Sequence, residues 1–126
     1  FRGDSDSFFG KEVHPVGNIQ GTGNQIAITA NRADVGGSET GSVYFYDAAS
    51  LSGEMAVTDA VSAIHNTEEG AIFGTIMTAM DPNEGVASAD VNGDSIPDIA
   101  VAATLADDGS AQKVGKVYVF HGGFSV

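Results

Sequence analysis

The residues best suited to chemistry lie together in Asp90-Val91-Asn92-Gly93-Asp94-Ser95-Ile96-Pro97-Asp98. Oxygen-bearing side chains stand at positions 1, 3, 5 and 9 of this run, and position 7, Ile96, can offer only its backbone carbonyl. In a tightly curled loop, alternate residues turn their side chains toward one centre, which suits Ca²⁺, a hard cation that takes about six to eight oxygen ligands. Asp90, Asn92 and Asp94 supply three ligands, the Ile96 carbonyl a fourth, and Asp98 a fifth, directly or through water. Three carboxylates held this close repel one another strongly at low effective dielectric, so the loop calls for a counter-ion. An EF-hand would place a bidentate Glu at position 12, where this chain has Val101, and would need flanking helices. A dockerin-type loop fails on the same residue. What remains is a loop that runs straight into a strand.

Other reactive side chains form no comparable pattern. With no cysteine in the chain, a disulfide framework, a thiolate metal site and a thiol nucleophile are all excluded. His14, His65 and His121 are scattered, and no Ser has a nucleophile-elbow context, so no catalytic residue is assigned and the chain reads as a non-enzyme. Arg2-Gly3-Asp4 spells the cell-attachment tripeptide and stands as a candidate interaction motif, although so short a word also arises by chance.

The elements that must carry the loop are short strands occurring twice. Val43-Tyr44-Phe45-Tyr46 and Val117-Tyr118-Val119-Phe120 are β-branched and aromatic runs, opened by Gly41-Ser42 and Gly115-Lys116. Ile26–Ala30 and Ile99–Ala103 form a second matching pair of small and β-branched residues, expected to be buried on both faces. Phe9-Gly10 and Phe73-Gly74 form a third, in the same order, with about nine extra residues in the second copy around Asp81–Gly85. The aromatic runs are expected to pack between sheets rather than to form a sugar-binding platform. Between the copies, residues 50–72 predict either a short helix through Ala60, Val61 and Ile64 or an outer strand with loops. The class is all-β, built as an internal duplication of the kind that makes propeller blades or solenoid coils.

The second copy resembles the FG-GAP repeat of integrin α-subunit propellers and of many microbial surface proteins. The resemblance rests, in order, on Phe73-Gly74, Val86-Ala87-Ser88-Ala89, the Asp90–Asp98 loop, Ile99–Ala103 and Gly115–Phe120. It implies four-stranded blades of a β-propeller: a terminal linker at 1–8, a first FG-GAP-like blade at 9–64 with a degenerate loop, and a second at 65–126 with calcium loop 90–98. Two blades cannot close a propeller, so they are either part of a larger parent propeller or completed by oligomerisation. Two departures stand out. Ser95 occupies a turn position where the family most often has Gly, and Ala102-Ala103-Thr104 replaces the Gly-Ala-Pro. In the first copy, Gly17–Gln25 keeps glycines and amides but has no carboxylate, which predicts one calcium per chain rather than two.

Five cations against 17 acidic residues give a net charge of −12, so nucleic acid is an unlikely partner and calcium a natural one. No apolar run approaches a bilayer span, so no membrane insertion is expected. The opening Phe-Arg-Gly-Asp has neither an initiator Met nor a signal-peptide pattern, and the chain is therefore expected to be processed or cut from something longer. The functional expectation is a calcium-binding interaction or adhesion module, extracellular or at the cell surface, whose partners are other proteins or copies of itself. The alternatives are a structural subunit of an extracellular filament or ring, and an accessory region of a larger secreted enzyme.

Overall fold

The computed structural model describes residues 6–35, 37–76, 90–110 and 112–123. Seven strands follow in order: β1 (Phe9–Gly17), β2 (Gln25–Ala30), β3 (Ser42–Asp47), β4 (Ser62–His65), β5 (Phe73–Ile76), β6 (Ile99–Ala103) and β7 (Lys116–Phe120). They form two antiparallel meanders, β1-β2-β3-β4 and β5-β6-β7. The fold is all-β, and the two sheets are not closed into a propeller.

The registers of the two sheets coincide. Ile26 pairs with Tyr46, Ile28 with Tyr44 and Ala30 with Ser42; in the second sheet Ile99 pairs with Phe120, Val101 with Tyr118 and Ala103 with Lys116. Phe9 opposes Ala30 as Phe73 opposes Ala103. The repeated Phe-Gly, small-residue and aromatic segments therefore occupy equivalent positions, as their order along the chain requires. The second sheet's counterpart of the early loop, together with Val86–Ala89 and the Asp81–Gly85 insertion, lies outside the described residues.

Alternation along each strand sends side chains to opposite faces. On one side of the first sheet, Ala27, Val43 and Phe45 meet Phe73, Ile99, Val101 and Ala103 of the second in a single buried cluster, with Tyr118 and Phe120 packed against it. On the other side, Ile28, Ala30, Tyr44 and Tyr46 form a second cluster. β2 is thus covered on both faces, as its Val/Ile/Ala composition predicts. The aromatic runs serve as core, with Phe73 edge-on to Tyr118 at 5.6 Å between ring centroids.

Of the two readings of residues 50–72, the outer strand is the one formed. β4 pairs with β3 from Ser42↔His65 to Phe45↔Ser62, preceded by a short 3-10 turn at Val57–Asp59. Gly-rich turns join the sheets where backbones approach too closely for a side chain. At Gly41 (φ 89°) a Cβ would lie 2.0 Å from the Phe73 carbonyl oxygen, so only glycine fits. Glu68 then ties the junction to the second sheet, accepting from the Asp107 N–H and from Lys116 Nζ, each at 2.7 Å. These bonds hold the Glu68 carboxyl below the usual carboxylate range.

Candidate metal loop

The loop Asp90–Asp98 curls because its own side chains replace the hydrogen bonds that a regular strand would supply. Asp90 Oδ1 accepts from the Gly93 and Asp94 N–H groups at 2.7 and 3.1 Å, and Oδ2 from Ser95 N–H at 2.7 Å. Asn92 Oδ1 accepts from Asp94 N–H at 3.0 Å, and Asp94 Oδ1 from Ile96 N–H at 2.8 Å. Asn92 Nδ2 donates to Asp94 Oδ2 at 3.1 Å. Asp90, Asn92 and Asp94 are therefore gathered on one turn and remain open to solvent, with Asn92 and Asp94 exposed. The turn includes Gly93 at φ 80° and Ser95 at φ 70°, so Ser95 takes the left-handed conformation that its position predicts.

Asp98 does something different. It is 2 % exposed, and its Oδ2 accepts from the Val91 and Asn92 N–H groups at 2.7 and 3.3 Å. Its Oδ1 accepts from Gly122 N–H at 2.7 Å, with His121 Nδ1 at 3.5 Å. Burial pushes this carboxyl up, but the Gly122, Val91 and Asn92 donors and the His121 ring outweigh it and hold the group below the usual carboxylate range. Asp98 is thus a latch that binds the start of the loop and the turn after β7 to the beginning of β6. Among the described residues no three His, Cys, Asp or Glu side chains converge on a common metal position, since Asp98 is aimed at backbone donors.

The donor chemistry still suits a hard cation. Two carboxylates and an amide oxygen lie within one turn, and no nitrogen or sulfur ligand competes. Of the positions named from the spacing, Asp90, Asn92 and Asp94 come together, Ile96 sits in the same loop, and Asp98 braces it. Arg2-Gly3-Asp4 lies outside the described residues. His14 is on β1, 3.2 Å from Glu12; His65 ends β4, where burial pulls its imidazole down and Ser42 Oγ lies 2.8 Å from Nδ1; His121 follows β7. The three imidazoles sit on separate elements.

Spacing alone missed Gly122. A Cβ there would meet the Pro97 carbonyl oxygen at 2.2 Å and Ile96 Cγ2 at 2.4 Å, so the Asp98 latch requires glycine. The signal in the sequence is the Gly122-Gly123 pair directly after the aromatic strand.

The family model described as the FG-GAP repeat matches residues 83–120. These residues carry an FG-GAP repeat. The matched span holds the whole loop and both β6 and β7. FG-GAP repeats are typically non-catalytic modules that mediate protein–protein interaction. A comparison with curated proteins gives no match. No helix among the described residues is long and apolar enough to cross a membrane.

Proposed function

We propose that this chain is a non-catalytic, extracellular calcium-binding interaction module, with the ion held by the FG-GAP repeat loop and the sheets presenting surfaces to other proteins as blades of a propeller-type assembly. The observation that supports this reading best is the clustering of Asp90, Asn92 and Asp94 at the mouth of β6. Asp90, Asn92, Asp94 and the Ile96 carbonyl would hold Ca²⁺, with Asp98 joining through its remaining lone pairs or through water. The bound ion would supply charge neutralisation and a rigid loop, not catalysis. A loop of modest affinity suits millimolar extracellular calcium, which supports the placement outside the cell.

Calorimetric titration of the chain with Ca²⁺ and with Mg²⁺ tests the reading. One calcium site, abolished by Asp94→Ala and preferred over magnesium, is expected; no heat with either ion would sink it. A second reading, completion of the two-sheet unit by neighbouring sheets in a larger ring or filament, is favoured by the uncovered outer face of β6 and β7.

A further inference from the structure

The two sheets meet head to tail. In the first, Ala27, Val43 and Phe45 face the second sheet, while Tyr44 and Tyr46 face away. The matching registers put Val117 in the place of Val43, Tyr118 of Tyr44, Val119 of Phe45 and Phe120 of Tyr46. In the second sheet it is Tyr118 and Phe120 that point to the first. The valine-side face of one sheet therefore covers the tyrosine-side face of the next, a heterologous contact that can be repeated.

The two ends of this stack are finished differently. At the first sheet's outer end, Leu51, Met55, Val57 and Ala60 pack over the tyrosine-side face. Tyr46 Oη donates to the Ala56 carbonyl at 3.1 Å, and Asp59 Oδ2 accepts from Ala56 N–H at 2.6 Å. Burial pushes the Tyr46 phenol up to about 12. Ser52, Glu54, Thr58 and Asp59 present polar groups outward, as terminal caps of stacked repeats do. At the second sheet's outer end, Val117 and Val119 are 57 % and 53 % exposed, whereas Val43 and Phe45 in the equivalent positions are 0 % exposed. β7 is also the last strand of its sheet, where β3 is flanked by β4.

We infer that the chain is the capped terminal unit of a sheet stack, and that the Val117/Val119 face is its single docking surface, fitted to a further antiparallel sheet offering an aromatic and aliphatic face like that of Phe73, Ile99, Val101, Tyr118 and Phe120. A second copy is not that partner, because both of its tyrosine-side faces are already covered, one by residues 51–60 and one by its own neighbouring sheet. The inference rests on the interaction-module reading but not on calcium.

The test appends a second copy of residues 65–126 to the full chain, so that a third sheet with an uncovered tyrosine-side face is supplied in place. Val117→Lys/Val119→Lys is then introduced into the natural chain and, at the same two positions, into the middle repeat of the extended one. In the natural chain the thermal midpoint should stay within about 2 °C and sedimentation should show a monomer, because exposed positions tolerate charge. In the extended chain the same pair should lower the midpoint by about 5 °C or more, because the third sheet now buries it. Equal midpoint changes in the two chains, or a wild-type dimer that the lysines dissociate, would overturn the inference, the second outcome giving the face to a second copy. Calcium calorimetry on the same proteins reads the metal separately: an extended chain that binds two ions yet ignores the lysines refutes the docking face alone.

Discussion

The loop Gly17–Gln25 and the loop Asp90–Asp98 have equal length and lead into equivalent strands, β2 and β6, yet they are held shut by different chemistry. In the later loop, carboxylates bind backbone N–H groups, and Asp98 anchors the base. In the earlier one, Gln25 takes the place of Asp98 and donates through Nε2 to Gln20 Oε1 at 2.8 Å and to Asp47 Oδ1 at 3.1 Å. Asn18 Oδ1 accepts from Gly23 N–H at 2.9 Å, and Ser62 Oγ reaches Gln20 Oε1 at 3.0 Å. Neutral amides satisfy a buried turn without accumulating charge, whereas the carboxylate version closes the same turn and leaves a negative cluster to be neutralised. One scaffold position thus accommodates either a self-sufficient loop or one that needs an ion.

The largest expected effect follows from that contrast. Asp90→Ala or Asp94→Ala should weaken calcium binding by on the order of 100-fold or more, since each removes one of few anionic ligands. Asn18→Ala and Gln20→Ala in the earlier loop should leave the titration unchanged. Saturating calcium should raise the thermal midpoint of the wild-type chain and not that of Asp94→Ala, by the linkage that adds about 4 kcal/mol at a thousand times the dissociation constant. A second ion bound at residues 17–25 would erase the distinction between the loops.

Next in size is the latch. Gly122→Ala drives a methyl into the Pro97 carbonyl and should cost about 2–4 kcal/mol in denaturant unfolding. Gly21→Ala, where nothing lies within 4 Å of the added carbon and only the φ of 79° resists, should cost about 1 kcal/mol. Comparable losses at the two sites would mean that the Asp98–Gly122 contact is not what fixes the turn.

Much of this was legible from residue types. Strand positions followed from the β-branched and aromatic runs, because short segments between glycines have few other ways to pair. The duplication followed from their order, and the loop from oxygens on alternate residues. Asp98 as a latch was not legible, because a carboxylate at position 9 reads equally as a metal ligand until Gly122, far along the chain, is seen to donate to it. The cap at residues 51–60 was hidden for a related reason: Leu51, Met55 and Val57 have neither helical nor strand period, and only the tyrosine-side face beneath them gives the pattern a meaning.

The Asp98 carboxyl also makes the two loops respond differently to acid. Its folded-state pKa is depressed, so its contribution is complete above the unfolded carboxylate value of about 3.9 and is lost as pH falls through the folded value. In chelator, Asp98→Asn should cost about 2 kcal/mol at neutral pH and flatten the decline of stability below about pH 4. Gln25→Glu should act in the opposite sense at neutral pH, placing a carboxylate against Asp47 and recovering part of its loss as the acids protonate. Parallel unfolding curves from pH 7 downward for wild type and Asp98→Asn would rule out the latch as a charged one.

The smallest expected effect concerns Ser95. It holds φ 70° while its N–H is bound to Asp90 Oδ2 at 2.7 Å, so the fold imposes a left-handed conformation on a residue with a Cβ. Glycine at this position relieves the strain in the folded state but increases the freedom of the unfolded chain, and the two terms oppose each other. The balance favours the folded state by about 0.5–1 kcal/mol, because the left-handed penalty exceeds the entropy lost. Ser95→Gly should therefore raise the denaturation midpoint slightly and tighten calcium binding by no more than about threefold, since no ligand oxygen is gained. Thr22, at the matching position of the earlier loop, is not among the residues with positive φ, so Thr22→Gly should lower stability instead. Opposite signs at the two positions would show that the loops differ in backbone path as well as in charge, whereas a loss at both would place the Ser95 hydroxyl among the groups that hold the turn.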